Sequence, residues 1–127
     1  MKSVLLDTHT WAWSLTGDER LSDKAGHSIS NANRVWVSPI SFYEIAQKVR
    51  VGKWPEMEPW VKLLPQLLEQ QGGAIAPLDQ QISLAAGLLD WSHRDPFDRL
   101  LAATAAQMKL PLISSDEIFD EKIKRIW

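Results

Sequence analysis

The chain has no cysteine, which excludes a disulfide framework, a thiolate metal site and a thiol nucleophile. It has no stretch approaching the roughly 18 apolar residues of a membrane span. The apolar run in Met1-Lys2-Ser3-Val4-Leu5-Leu6-Asp7 is too short for a signal peptide. It also lacks a large charge of either sign. Fourteen Lys and Arg stand against 16 Asp and Glu, for a net charge of −2. That argues against attachment to nucleic acid by bulk positive charge, though not against a local basic groove. There is no internal repeat, low-complexity segment or linker. These absences predict a cytoplasmic protein with no membrane partner. What is present is ordinary for a globular chain: 127 residues, 45% apolar and 24% charged, enough for one domain over residues 1–127 with its own core. The seven tryptophans are many for this length.

The longest helical pattern is Leu100–Met108, directly after His93-Arg94-Asp95-Pro96-Phe97-Asp98-Arg99. Proline at the first helical position loses no needed N–H, so Asp95 reads as the N-cap. Asp98 falls in the same first turn. A cap with a favourable charge–dipole contact accounts for Asp95. It accounts less well for Asp98, because one acid already caps the helix.

Elsewhere, short apolar runs alternate with helical patterns. Strands are expected at Ser3–Leu6, Val35–Val37, Ala74–Leu78 and Leu112–Ser114, with a last edge strand within Lys122–Trp127. Helices are expected over 10–15, over 22–32 opening at Ser22-Asp23, from Pro39 to about Val51, from Trp60 to Gln71 with Pro65 as a kink or break, and from an Asp79 cap to about Trp91. Lys53–Pro59 reads as a loop. This order predicts an α/β fold with a mostly parallel central sheet flanked by helices.

In such sheets, ligands bind beyond the carboxyl ends of the strands, and right-handed crossovers bring all βα junctions to that edge. Asp7 ends the first strand, Glu44 lies early in the helix after the second, and Asp116 follows Leu112–Ser114. Asp98 joins them if its helix opens on the same edge. Each has a plainer reading. Asp7 could cap the next helix, Ser41-Phe42-Tyr43-Glu44 has capping-box spacing, and Asp116 could be a turn residue. Together, however, three or four crowded carboxylates repel and raise each other's pKa values. Such a cluster is tolerable mainly with a divalent cation, and oxygen ligands without cysteine suit Mg²⁺ or Mn²⁺. A site of that kind serves phosphoryl displacement.

At this point the chain resembles the PIN-domain ribonucleases, and among them the VapC toxins of type II toxin–antitoxin pairs. The resemblance covers essentially the whole chain. It rests on Leu5-Leu6-Asp7-Thr8-His9, on Val37-Ser38-Pro39-Ile40-Ser41-Phe42-Tyr43-Glu44-Ile45-Ala46-Gln47-Lys48 with Gly52-Lys53, on His93–Ala103, and on Leu112-Ile113-Ser114-Ser115-Asp116. It implies a single PIN-like domain and a metal-dependent endoribonuclease whose ligand and catalytic acids are Asp7, Glu44, Asp98 and Asp116. Asp116 is the position that varies most in the family. It implies Mg²⁺ or Mn²⁺ as cofactor, RNA as substrate, a VapB-like antitoxin as partner, and a homodimer. Asp95 stays open between cap and outer-shell ligand. Thr8 is open between an outer-shell hydrogen bond and a local turn bond. His9 and His93 are expected to be hydrogen-bonded structural residues.

RNA approaching these acids needs cations. Lys48, Arg50, Lys53, Arg94 and Arg99 are the candidates, against ordinary surface charges, and Lys48 also stands i+4 from Glu44. Trp11 and Trp13 cannot share one helix face, and Trp54 and Trp60 flank a proline-rich loop. These four are expected to contribute to an antitoxin groove, whereas Trp36 and Trp91 read as core. Two other functions compete. One is a different Mg²⁺-dependent phosphoesterase, although a haloacid-dehalogenase-like nucleophile would need an acid where His9 stands. The other is a non-catalytic PIN-like binding module, which would have lost or scattered the acids.

Overall fold

The structure, a computed structural model, describes residues 2–127, so the domain start expected at residue 1 lies just outside it. Five strands form one sheet: β1 Val4–Leu6, β2 Val35–Val37, β3 Ala74–Ile75, β4 Leu112–Ile113 and β5 Arg125–Ile126. Their order is β3-β2-β1-β4-β5, and every neighbouring pair is parallel. The helices are α1 Thr8–Thr16, α2 Asp23–Ser30, α3 Pro39–Arg50, α4 Leu64–Gln70, α5 Gln80–Leu88 and α6 Pro96–Met108. None is long and apolar enough to cross a membrane.

The central strand shows why short apolar runs suffice. All three residues of β1 are buried, and successive side chains point to opposite faces. Val4 and Leu6 pack with Trp11, Val37, Ile45, Met57 and Leu64 on one face. Leu5 packs with Leu101, Ala102, Ala105, Leu112 and Phe119 on the other. The two half-cores flank a sheet covered on both sides, as the unalternating Val4-Leu5-Leu6 run requires.

Several expected boundaries move, each for a local reason. Helix α1 begins at Thr8 rather than Thr10, because Asp7 caps it and its Oδ1 accepts the Thr8 N–H at 2.7 Å. Ser38, not Ser41, caps α3 and accepts from Ile40 N, so the Ser41–Glu44 capping box does not form. The helix expected over 60–71 is broken into a 3₁₀ turn at Val61–Leu63 and α4, with Pro65 in the first turn of α4. β3 stops at Ile75, two residues before Pro77. α5 stops at Leu88, and Arg99 takes up carbonyls both of its last turn and of the residues that follow. A 3₁₀ turn at Glu117–Glu121, unforeseen in sequence, leads into β5.

Candidate functional site

Asp7 stands at the carboxyl end of the central strand and serves two purposes. Its Oδ1 caps α1, and its Oδ2 accepts the Ser114 hydroxyl at 2.7 Å across from β4. Ser114 is fully buried. Burial pushes the Asp7 carboxyl up to about 7, and the charges of Asp98 and Glu44 push in the same direction. The bonds from Ser114 and Thr8 only partly oppose that. A carboxyl at the end of one strand therefore feels acids from two helices, which is the convergence the topology predicts.

Asp98 comes from the first turn of α6. His93 Nε2 lies 2.7 Å from its Oδ2. Burial raises the Asp98 pKa, His93 lowers it, and the charges of Asp95 and Asp116 raise it. Asp95 is the N-cap, its Oδ1 accepting from Phe97 N at 2.9 Å and Asp98 N at 3.4 Å. One donor atom from each of His93, Asp95 and Asp98 lies within 4.8 Å of the others, close enough to share one cation. Glu44, on α3, is 8% exposed, and Lys48 Nζ donates to its Oε2 at 2.8 Å. Asp116 is exposed and caps the following 3₁₀ turn through Ile118 N. Its backbone N–H bonds the same Ser114 hydroxyl that holds Asp7.

Thr8 is buried, and its hydroxyl shares a 2.9 Å hydrogen bond with Ser41 on α3. It thus braces α1 against α3, while its N–H rather than its hydroxyl reaches a site carboxylate. His9 stacks on Trp54 with ring centres 4.5 Å apart. It is held by ring packing rather than by the hydrogen bond expected from the sequence.

The basic residues divide. Lys48 and Lys53 line a concavity of about 250 Å³ with His9, Arg20, Trp54 and Glu56. Lys48 thus joins Glu44 to that groove. Arg50 and Arg94 are exposed, and neither makes an ion pair among the described residues. Arg99 corrects the expectation. Its guanidinium donates to the carbonyls of Ala86, Gly87, Leu89, Trp91 and His93 at 2.6–3.3 Å. It pins the connection between α5 and α6 and leaves no donor for RNA.

The expectation for the tryptophans is corrected at Trp11, while Trp54 lines the concavity beside Lys48 and Lys53. Trp11 is fully buried, and Trp54 is 7% exposed under His9 and Lys48. Trp60 is half-buried against the core face that holds Trp11, and Trp13 is half-buried beside His9. The amphipathic arithmetic that put one of Trp11 and Trp13 outside failed because Trp13 is roofed by Arg20 and Trp127. Open apolar surface lies elsewhere, at Leu84 and Leu88 on α5 and in a groove lined by Phe42, Leu68 and Ile75.

Sequence reasoning missed Ser114. Its signal is faint, a small hydroxyl at the end of a buried strand facing an acid at the end of the next. The donor set here is carboxylate with one imidazole and no sulfur, and one of its carboxyls is held desolvated among like charges. Both features fit a hard divalent cation.

The chain matches the PIN domain family over residues 4–124. It is 32% identical over 117 residues, spanning 91% of this chain and 88% of the relative, to Ribonuclease VapC22 of Mycobacterium tuberculosis. Among solved structures it resembles a chain in the crystal structure of VapBC2 from Rickettsia felis bound to a DNA fragment from their promoter. That match has a TM-score of 0.69 at 15% identity over 97% of this chain and 96% of the other. It speaks for the fold alone.

Proposed function

Since the chain belongs to the PIN-domain family, we propose that it is a metal-dependent endoribonuclease and the toxin of a VapBC-like toxin–antitoxin pair. The observation that carries this reading is the set of acids gathered beyond the carboxyl end of the central strand. Asp7, held by Ser114 and the Thr8 N–H, feels the charges of Asp98 and Glu44, and His93, Asp95 and Asp98 bring ligand atoms within 4.8 Å of one another. The similarity to a ribonuclease supports RNA as the phosphodiester.

Asp7 and Asp98 would hold the first cation, Glu44 and Asp116 completing the set, with Mg²⁺ or Mn²⁺ as the ion. When bound, such an ion neutralises the carboxylates and stabilises the charge that develops on a phosphoryl group under in-line attack. The protein's own work is orientation. Ser114 and the Thr8 N–H fix both oxygens of Asp7. His93 fixes Asp98. Lys48 restrains Glu44 and, with Lys53, gives the substrate's phosphates a basic wall beside the acids. Arg50 and Arg94, both exposed, would offer further cations to the substrate. Asp95 acts as cap, with its second oxygen left for the cation's surroundings.

A VapB-like antitoxin as partner follows from the family resemblance, with the similarity to a VapC ribonuclease as its support. We carry forward a homodimer from the family resemblance as well, and a cytoplasmic setting because RNA is the substrate. Calorimetry with Mn²⁺ tests the metal claim. The wild-type protein should take up the ion with release of protons at pH 7, and Asp7→Asn should lose that uptake. Equal Mn²⁺ binding by the two proteins would remove Asp7 from the ligand set.

A further inference from the structure

The edge of the sheet opposite the acids is basic. A pocket of about 600 Å³ opens there, under the starts of β1, β4 and β5 and the end of α6. Lys2, Lys109, Lys122 and Lys124 line it, with Ser3 as a hydroxyl and Leu110 and Pro111 as floor, and no lining residue is acidic. All four lysines are exposed, and none makes an ion pair among the described residues. The nearest acids in sequence are engaged elsewhere. Asp120 holds Arg125, and Glu121 accepts from Trp91 Nε1. In a chain of net charge −2, gathering four unpaired lysines around one concavity costs self-repulsion that an anion would relieve.

Lys109 gives an independent sign. It is the only non-glycine residue with positive φ among those described, at 56°, and it ends α6 in the left-handed conformation. Glycine is the usual occupant of that position, and a side chain there is strained. Strain kept at one of four lysines facing a common pocket points to a use for the side chain.

We propose that this pocket is a second, non-catalytic docking site for the phosphodiester backbone of RNA. It lies across the sheet from the acids, at roughly 17 Å by the extended length of five strand residues. Lysine suits this role because it acts as a point charge toward phosphate without needing a fixed base geometry. No aromatic ring lines the pocket, so contacts there are to phosphates and carry no base preference. The identity of the anion as RNA rests on the proposed function, whereas the site itself rests on the lysines.

The test is fluorescence anisotropy with a labelled single-stranded RNA in EDTA across a salt series, so that binding is read without cleavage. Lys109→Gly and the double variant Lys122→Gln/Lys124→Gln are compared with the wild type, and circular dichroism follows their folding. Each removed lysine should weaken binding equally for RNAs of different sequence. The slope of log affinity against log salt should become shallower by about 0.7 per lysine. Lys109→Gly should at the same time raise the Tm, because it relieves the left-handed lysine. A merely structural lysine would not couple weaker binding to higher stability. Unchanged affinity and slope in both variants would overturn the proposal. So would tighter binding of poly-glutamate than of RNA, lost in the same variants, which would assign the pocket to an acidic protein. Loss of RNA cleavage with this binding intact would contradict the proposed function and leave the docking site standing.

Discussion

Asp7 carries two demands that pull against each other. As a cap it is best charged, yet its burial among Asp98 and Glu44 favours the neutral acid. The sign of the pH effect follows. A carboxyl whose folded pKa lies above its unfolded value stabilises the fold at pH below about 4, and that contribution is lost as pH rises toward about 7. The metal-free protein should therefore melt lower at pH 8 than at pH 5. Asp7→Asn should raise the metal-free stability at pH 8 by on the order of 1–3 kcal/mol, read by urea denaturation. A lower midpoint for the variant at pH 8 would contradict the desolvation argument. Arg99 shows the limit of reading charge from sequence. Its position beside the acids suggested phosphate, but a guanidinium is also the one side chain able to collect five carbonyls. Nothing local in the sequence separates those uses. Arg99→Lys, which keeps the charge and loses the fork, should cost about 2–4 kcal/mol of stability. A change under about 0.5 kcal/mol would show that the α5–α6 connection does not depend on it.

At the scale of elements, the mouths of α6 and α3 were both legible, whereas the use of Ser41 and Glu44 inside α3 was not. Asp95-Pro96 is a strong local signal because proline and a capping acid each act within one turn, and the helix starts where they say. Ser41-Phe42-Tyr43-Glu44 has equally good spacing, but Ser38-Pro39 three residues earlier takes the cap. Ser41 and Glu44 then turn to Thr8 and Lys48. Competition between two local signals is decided by tertiary contacts. The double role left open for Asp95 becomes separable here. Asp95→Ser keeps a cap and removes the charge, whereas Asp95→Ala removes both. If capping is its main duty, Ala should cost about 1 kcal/mol and Ser much less, with Mn²⁺ affinity changed far less than by Asp98→Asn. A Ser variant as weak in metal binding as Asp98→Asn would make Asp95 a ligand. Trp13 is less open than its place on α1 suggested for a related reason. Periodicity within one helix is blind to Arg20 and Trp127, which arrive from elsewhere to cover Trp13.

The whole molecule is a sheet with acids at one edge and lysines at the other, and its strand order was readable only in part. Alternation of strands and helices predicts a parallel α/β sheet, and that is what forms. The placement of β1 at the centre, which sets Asp7 among acids from two helices, is a long-range outcome with no local sign. Proton and metal compete for the acidic edge, so Mg²⁺ should raise the Tm more at pH 8 than at pH 5. An equal shift at both would mean that the ion does not bind at Asp7. The central claim, hydrolysis of RNA at these acids, is tested most directly by incubating partner-free protein with total cellular RNA, in Mg²⁺ or in EDTA, beside Asp98→Asn. The account predicts discrete fragments from the wild type with Mg²⁺ and none with EDTA or from the variant. Fragments that persist in EDTA, or that Asp98→Asn produces as fast as the wild type, would contradict it.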